Sequence, residues 1–307
     1  MKKIDIATLL ALAGLWGASY LFMRISAGEF GALTLAGARA AGAAALLLPV
    51  LAARRDGGVM AMRRHWRPIL LVGISNSALP FVLFAVAAQS INASLSAIFN
   101  AATPLYAAII GLLWLGEGVG RQRAAGLALG FAGVAWLAWD SAGLKEGSGA
   151  AATGWAVLAC VSATVLYAFS AHYSKRYLEH VPPLAVATGS QLASAAVLAV
   201  PALVLAPARL PSVPAWLALL GLSAACTALA YVLFFRLIAR VGAARTMAVP
   251  FLVPAFGVLW GALFLDEALG GKVLSACGLI MLGTALATGV AGSRSRDRAQ
   301  AQAKANV

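Results

Sequence analysis

Apolar residues run along this chain in long stretches, separated by short clusters of charge, glycine and proline. An α-helix needs about 20 apolar residues to cross the hydrocarbon core of a bilayer. Ten segments reach that length: approximately 4–24, 31–53, 67–88, 94–115, 121–139, 153–174, 184–206, 214–235, 245–265 and 271–291. The connections are short, so consecutive helices lie antiparallel and packed together. No soluble domain fits between them. The residues from Ser293 to Val307 are polar and basic and predict a disordered tail.

The pattern repeats at a shift of 150 residues. The stretch ASLSAIFNAATPLYAAIIGLLWLGEGVG (93–120) lies over AARTMAVPFLVPAFGVLWGALFLDEALG (243–270). Pro104 then falls on Pro254, Gly111 on Gly261, Glu117 on Glu267 and Gly120 on Gly270, while Trp66 falls on Trp216. Towards the N-terminus the shift drifts by one or two, which matches Trp16-Gly17 with Tyr167-Ala168, Arg39 with Gln191 and Pro49 with Pro201. Apolar matches arise easily by chance in such a composition; prolines, tryptophans and glutamates in register do not. Each copy holds five helices, an odd number, so the second copy enters the membrane upside down. The expected architecture is all-α and integral to the membrane: ten transmembrane helices as two inverted five-helix repeats. Residues 1–139 form the first repeat, 140–152 a periplasmic linker, 153–292 the second, inverted repeat and 293–307 a cytoplasmic basic tail. Inverted repeats are the architecture of secondary transporters, with the site near the midplane between the halves.

Composition supports the membrane class: 62% of residues are hydrophobic and 11% charged, more apolar surface than a soluble fold can hide. The net charge of +13 is dispersed through loops rather than gathered on one face, which argues against a nucleic-acid partner. It sets topology instead. Of the lysines and arginines, 18 lie on the side that holds both termini and four on the other, with Arg39 inside helix 2. Both termini are therefore expected in the cytoplasm. The start, MKKIDIATLLALAGLWGASYLFMR, has the charged opening of a signal peptide but a longer apolar stretch, and reads as a retained first helix. Cys160, Cys226 and Cys277 have no metal-ligand spacing.

Buried polar groups are costly in a bilayer and mark candidate sites. Trp16, Tyr20, Asn76, Phe81, Asn100, Thr103, Tyr167 and Tyr231 are the candidate substrate-binding residues: asparagine and tyrosine can bond an amino or carboxylate group, and the aromatics can wall a side chain. Ser77, Thr164, Gln191 and Thr227 share their depth. Pro104 and Pro254 are candidate hinges, since proline deletes a helix hydrogen bond and frees a carbonyl. Glu117 and Glu267 end their helices as loop caps or interfacial anchors, or as gates. Arg39 either attracts an anionic group or ties helices together. Gly126 and Gly130 form a GxxxG face that favours close helix contact, within the chain or between protomers.

LWGASYLFMR, Arg39, NAATPLYAAIIGLLWLGE and VPAFGVLWGALFLDE together resemble the EamA-type branch of the drug/metabolite transporter superfamily, over nearly the whole chain. The resemblance implies a ten-helix transporter in a bacterial inner membrane, whose relatives export amino acids and related metabolites, aromatic amino acids among them. Four-helix relatives that expel cationic drugs use a glutamate in helix 1. Here that stretch, LLALAGLWGASY, holds no acid.

No aspartate or glutamate lies near the middle of any predicted span, as a proton- or sodium-coupled carrier would want. The expectation is a facilitative exporter of amino acids or related small metabolites working by alternating access, as a monomer and without cofactor or metal. The alternative is an exporter of drugs or lipophilic cations, proton-coupled, with His172 the available proton carrier. An enzyme is not expected: HExxH, a nucleophile elbow and a phosphate loop are all absent.

Overall fold

A computed structural model describes residues 2–54, 57–116, 120–139, 150–242, 246, 248–267 and 270–287. Every regular element among them is a helix. Glu117, most of the expected linker and the basic tail lie outside the described residues. Residues 150–152, expected in the linker, already belong to a helix.

The first two spans are single helices, α1 (Lys3–Phe30) and α2 (Ala32–Ala53). A short α3 (Gly58–Arg64) follows in the connection. The third span is α4 (Trp66–Gly73), a π-helical stretch (Ile74–Ala78) and α5 (Leu79–Ser90) in continuous succession. The fourth is broken into α6 (Ala93–Asn100) and α7 (Thr103–Leu115). Then come α8 (Arg121–Trp139), α9 (Ala150–Leu178) and α10 (Pro183–Val204). The next span repeats the form of the third: α11 (Val213–Leu220), a π-helical stretch (Gly221–Leu229) and α12 (Ala230–Val241). The last helices are α13 (Ala248–Leu265) and α14 (Gly271–Ala287).

Eight of these assemblies are long and apolar enough to cross a membrane. The remaining two expected spans are occupied by α8 and α14. The first opens on Arg121, Gln122 and Arg123, which lowers its hydropathy; the second is apolar but has only 17 residues.

The principal contacts pair elements from opposite halves of the sequence: α1 with α13, α2 with α10, α5 with α9, and α8 with α14. Backbones approach closely where side chains are smallest. On the GxxxG face of α8, a Cβ on Gly126 would meet the Gly283 carbonyl of α14 at 2.8 Å, and one on Gly283 would strike the Gly130 amide. That face is used within the chain. On α1, a Cβ at Gly17 would meet the Gly257 amide of α13 at 2.8 Å, and Trp260 Nε1 donates to the Gly14 carbonyl at 3.0 Å.

Candidate substrate cavity

A cavity of about 1030 Å³ lies where the two halves meet. It is lined by all eight candidate residues, Trp16, Tyr20, Asn76, Phe81, Asn100, Thr103, Tyr167 and Tyr231, and by Pro104. The aromatic walls brace one another. Trp16 packs on Phe234 with centroids 5.2 Å apart, Tyr20 meets Phe84 edge-on at 5.4 Å, and Phe84 stacks near Tyr167 at 6.1 Å. Sequence reasoning missed the contributions of α8, α13 and α14, including Arg123, Phe251 and Thr284. Thr284 was the one legible signal, a hydroxyl in an apolar helix.

The break between α6 and α7 sits on the cavity wall. Pro104 has no N–H to offer the Asn100 carbonyl, and Thr103 Oγ1 donates to that oxygen instead at 2.7 Å. The next carbonyl, Ala101, accepts from Thr284 Oγ1 on α14 at 3.3 Å. The carbonyl that proline releases is thus taken by the protein itself, rather than left for a ligand as the proline alone suggests. Pro254 behaves differently. It lies inside an unbroken α13 and outside the cavity lining, although Pro250, whose carbonyl it cannot serve, faces the cavity.

Two polar bonds cross between halves in equivalent places. Arg39 Nε of α2 donates to Thr227 Oγ1 at 3.0 Å, and Gln191 Nε2 of α10 donates to Ser77 Oγ at 2.8 Å. Thr227 and Ser77 each lie in a π-helical stretch, 150 residues apart. Thr227 passes its own proton back to the Leu222 carbonyl at 2.7 Å. A side chain that inserts a bond into the helix ladder is a recognised cause of such local widening. Arg39 also lies under Phe81, its guanidinium carbon 3.8 Å from the ring centroid. It lines the cavity; Gln191 does not.

Two carboxylates tie the halves together outside the cavity lining. Glu29 of α1 accepts from Ser212 N at 2.6 Å and Ser212 Oγ at 2.7 Å, at the start of α11. Glu267, just past α13, accepts from Ala93 N at 2.8 Å, Ser94 N at 3.0 Å and Ser94 Oγ at 2.6 Å, at the start of α6. Arg24 Nη1 donates to the Ala88 carbonyl at 3.4 Å, tying α1 to α5. Each carboxylate comes from one half and satisfies the free amides of a helix in the other. Asp266, the non-glycine residue at positive φ among the described residues (+50°), turns the chain so that Glu267 reaches back; its counterpart Gly116 has φ +64°.

The lining also includes His172, Gln122, Arg123 and Phe251. His172 Nδ1 lies 3.0 Å from the Ala168 carbonyl, which can only accept, so that nitrogen carries the proton. A second cavity of about 320 Å³ shares Asn76, Ala171 and Tyr231 with the first. Asn76 Nδ2 donates to the Tyr231 hydroxyl at 3.3 Å, so this one bond spans the boundary between the two spaces.

The EamA-like transporter family matches the chain twice, over residues 3–139 and 154–289, one copy on each side of the cavity. The chain belongs to the EamA-like transporter family. Its curated relatives include "Uncharacterized inner membrane transporter YedA" of Escherichia coli K12, 26% identical over 288 residues, covering 91% of this chain and 89% of that one. "Uncharacterized transporter YvbV" of Bacillus subtilis 168 is 25% identical over 300 residues, covering 93% and 92%. A solved crystal structure aligns with 94% of this EamA-like chain and 97% of its own, with a TM-score of 0.66 at 22% identity, which shows the fold.

Proposed function

We propose that this EamA-like transporter exports amino acids or related small metabolites across the bacterial inner membrane, by alternating access between two inverted five-helix halves. The observation that carries the reading is a cavity lined by residues of both matched halves. The helix pairing supports the inverted repeat. Exchanging each helix for its counterpart turns the α1–α13 contact into that of α9 with α6 and α7, and returns the α2–α10 and α8–α14 contacts to themselves. A single bundle with no internal twofold has no reason to pair this way.

The distribution of lysine and arginine supports cytoplasmic termini. Gln122 and Arg123 then lie towards the cytoplasm, and the Glu29 and Glu267 straps towards the periplasm. The name of YedA supports an inner-membrane location. Among the described residues lining the cavity, the fixed charges are Arg39 and Arg123, a setting that repels a lipophilic cation and so disfavours the drug-export alternative. Without a carboxylate at mid-depth, flux runs down the substrate's own gradient.

The test is uptake of labelled amino acids into proteoliposomes, with and without an imposed pH or voltage gradient. Flux down the amino-acid gradient alone, abolished in Asn76→Ala and Tyr231→Ala, is the expected result. Flux that appears only with a pH gradient would overturn uncoupled transport and make His172 the first residue to change. No flux of any amino acid would overturn the substrate class.

A further inference from the structure

We infer that Arg39 is the anion subsite of the cavity: the transported molecule carries a carboxylate, which docks end-on to the two terminal nitrogens of this guanidinium. The inference rests on the transport reading above and narrows its substrate class.

Arg39 is only 6% exposed, yet its side chain forms part of the cavity wall. It is held from three sides by neutral groups. Nε is fixed by Thr227, one face is covered by Phe81, and Nη1 points at the thioether of Met23 at 3.9 Å, a weak acceptor. No described carboxylate pairs with it; the ion pair among described residues joins Arg240 to Asp5 at 3.2 Å, at the start of α1. A buried guanidinium without a counter-charge is costly, and its planar fork matches a carboxylate in two parallel bonds. Thr227 and Phe81 fix its plane and leave the terminal edge for a ligand.

The repeat provides an internal control. Gln191 occupies the equivalent position, makes the equivalent bond to Ser77, and is fully buried away from the cavity. If helix tying were all the position required, the neutral glutamine serves. Of the two equivalent positions, the one that lines the cavity carries the charge, so the substrate meets one oriented anion site in an otherwise twofold frame.

The test is isothermal titration of the purified protein in detergent with two matched series. One is phenylalanine, 3-phenylpropanoate and 2-phenylethylamine; the other is leucine, 4-methylpentanoate and 3-methylbutylamine. The carboxylate-bearing probes are expected to bind at least about 10-fold more tightly than the amines, the ratio for one charge-assisted pair. Arg39→Gln is expected to erase that difference by weakening the carboxylates alone, and Arg39→Lys to restore part of it. Amines binding as tightly as their parents, or carboxylates unaffected by Arg39→Gln, would overturn the subsite. Should Arg39→Gln fail to fold, the comparison on the unaltered protein decides. Deaminated acids binding where amino acids do not would leave the subsite standing and remove the amino-acid reading. Amino-acid flux inhibited equally by the amines would do the reverse. Failure of every carboxylate probe to bind removes the subsite.

Discussion

Replacing Glu267 by alanine tests the contact that ties the end of α13 to the start of α6. The carboxylate receives three bonds, of 2.8, 3.0 and 2.6 Å, two of them from the first free amides of α6. Asn92, at the N-cap position of α6, makes no side-chain capping bond, so the cap comes from 174 residues away. Removing a cap costs about 0.5–2 kcal/mol, and losing bonds to a charged acceptor adds to that. Because the carboxylate is only half-buried, water recovers some of the loss, and the net is about 2–3 kcal/mol. For a protein of this size that corresponds to a fall of roughly 3–5 °C in apparent melting temperature. The buried thiols of Cys160 and Cys226 supply the assay, since a thiol-reactive dye reports their exposure as the bundle opens on heating. Ser94→Ala, which removes only the hydroxyl bond, should cost about 1 kcal/mol. Glu267→Gln should fall between them, because its amide nitrogen cannot accept from a backbone N–H. A melting temperature for Glu267→Ala indistinguishable from the parent's would refute the cap.

The Gln191–Ser77 bond between the halves gives a double-mutant cycle. Ser77→Ala leaves the Gln191 amide unsatisfied and should cost about 1–3 kcal/mol, whereas Ser77→Ala with Gln191→Leu should recover part of it. Gly283→Val should destabilise by about 1–3 kcal/mol through overpacking against α8, while Gly278→Val, with open space at its Cβ, should not; thermal unfolding of the two separates them. Asp266→Val should cost about 1–2 kcal/mol at its positive φ, read by the same unfolding assay.

The spans were legible because the bilayer imposes a length, and the eight candidate side chains converge because polar and aromatic groups at one depth of a small bundle have little else to face. The repeat placed Arg39 opposite Gln191, but hydropathy has no register, so it could not show that each reaches a hydroxyl in the other half. The π-helical stretches were invisible for the same reason. Proline alone predicts a kink at both Pro104 and Pro254. The chain breaks at the first, where Thr103 and Thr284 supply the missing donors, and continues at the second, where α1 packs along α13 through Gly17 and Trp260. Glu29 went unnoticed because an acid at a helix end reads as a solvated charge until Ser212 is seen beside it.

A π turn holds one residue more than the α turn it replaces, so each widened stretch is, in effect, a single-residue insertion that the helix has absorbed. Excising one residue from 221–229 would let the helix close up, and everything beyond would rotate by about 100°. Tyr231 would swing off the wall and away from Asn76 while the apolar length of the span barely changed. A related chain could therefore keep its membrane topology and its hydropathy profile and still present a different face to its cargo. Alignment gaps at 74–78 and 221–229 would then mark changes of specificity more faithfully than substitutions in the lining itself.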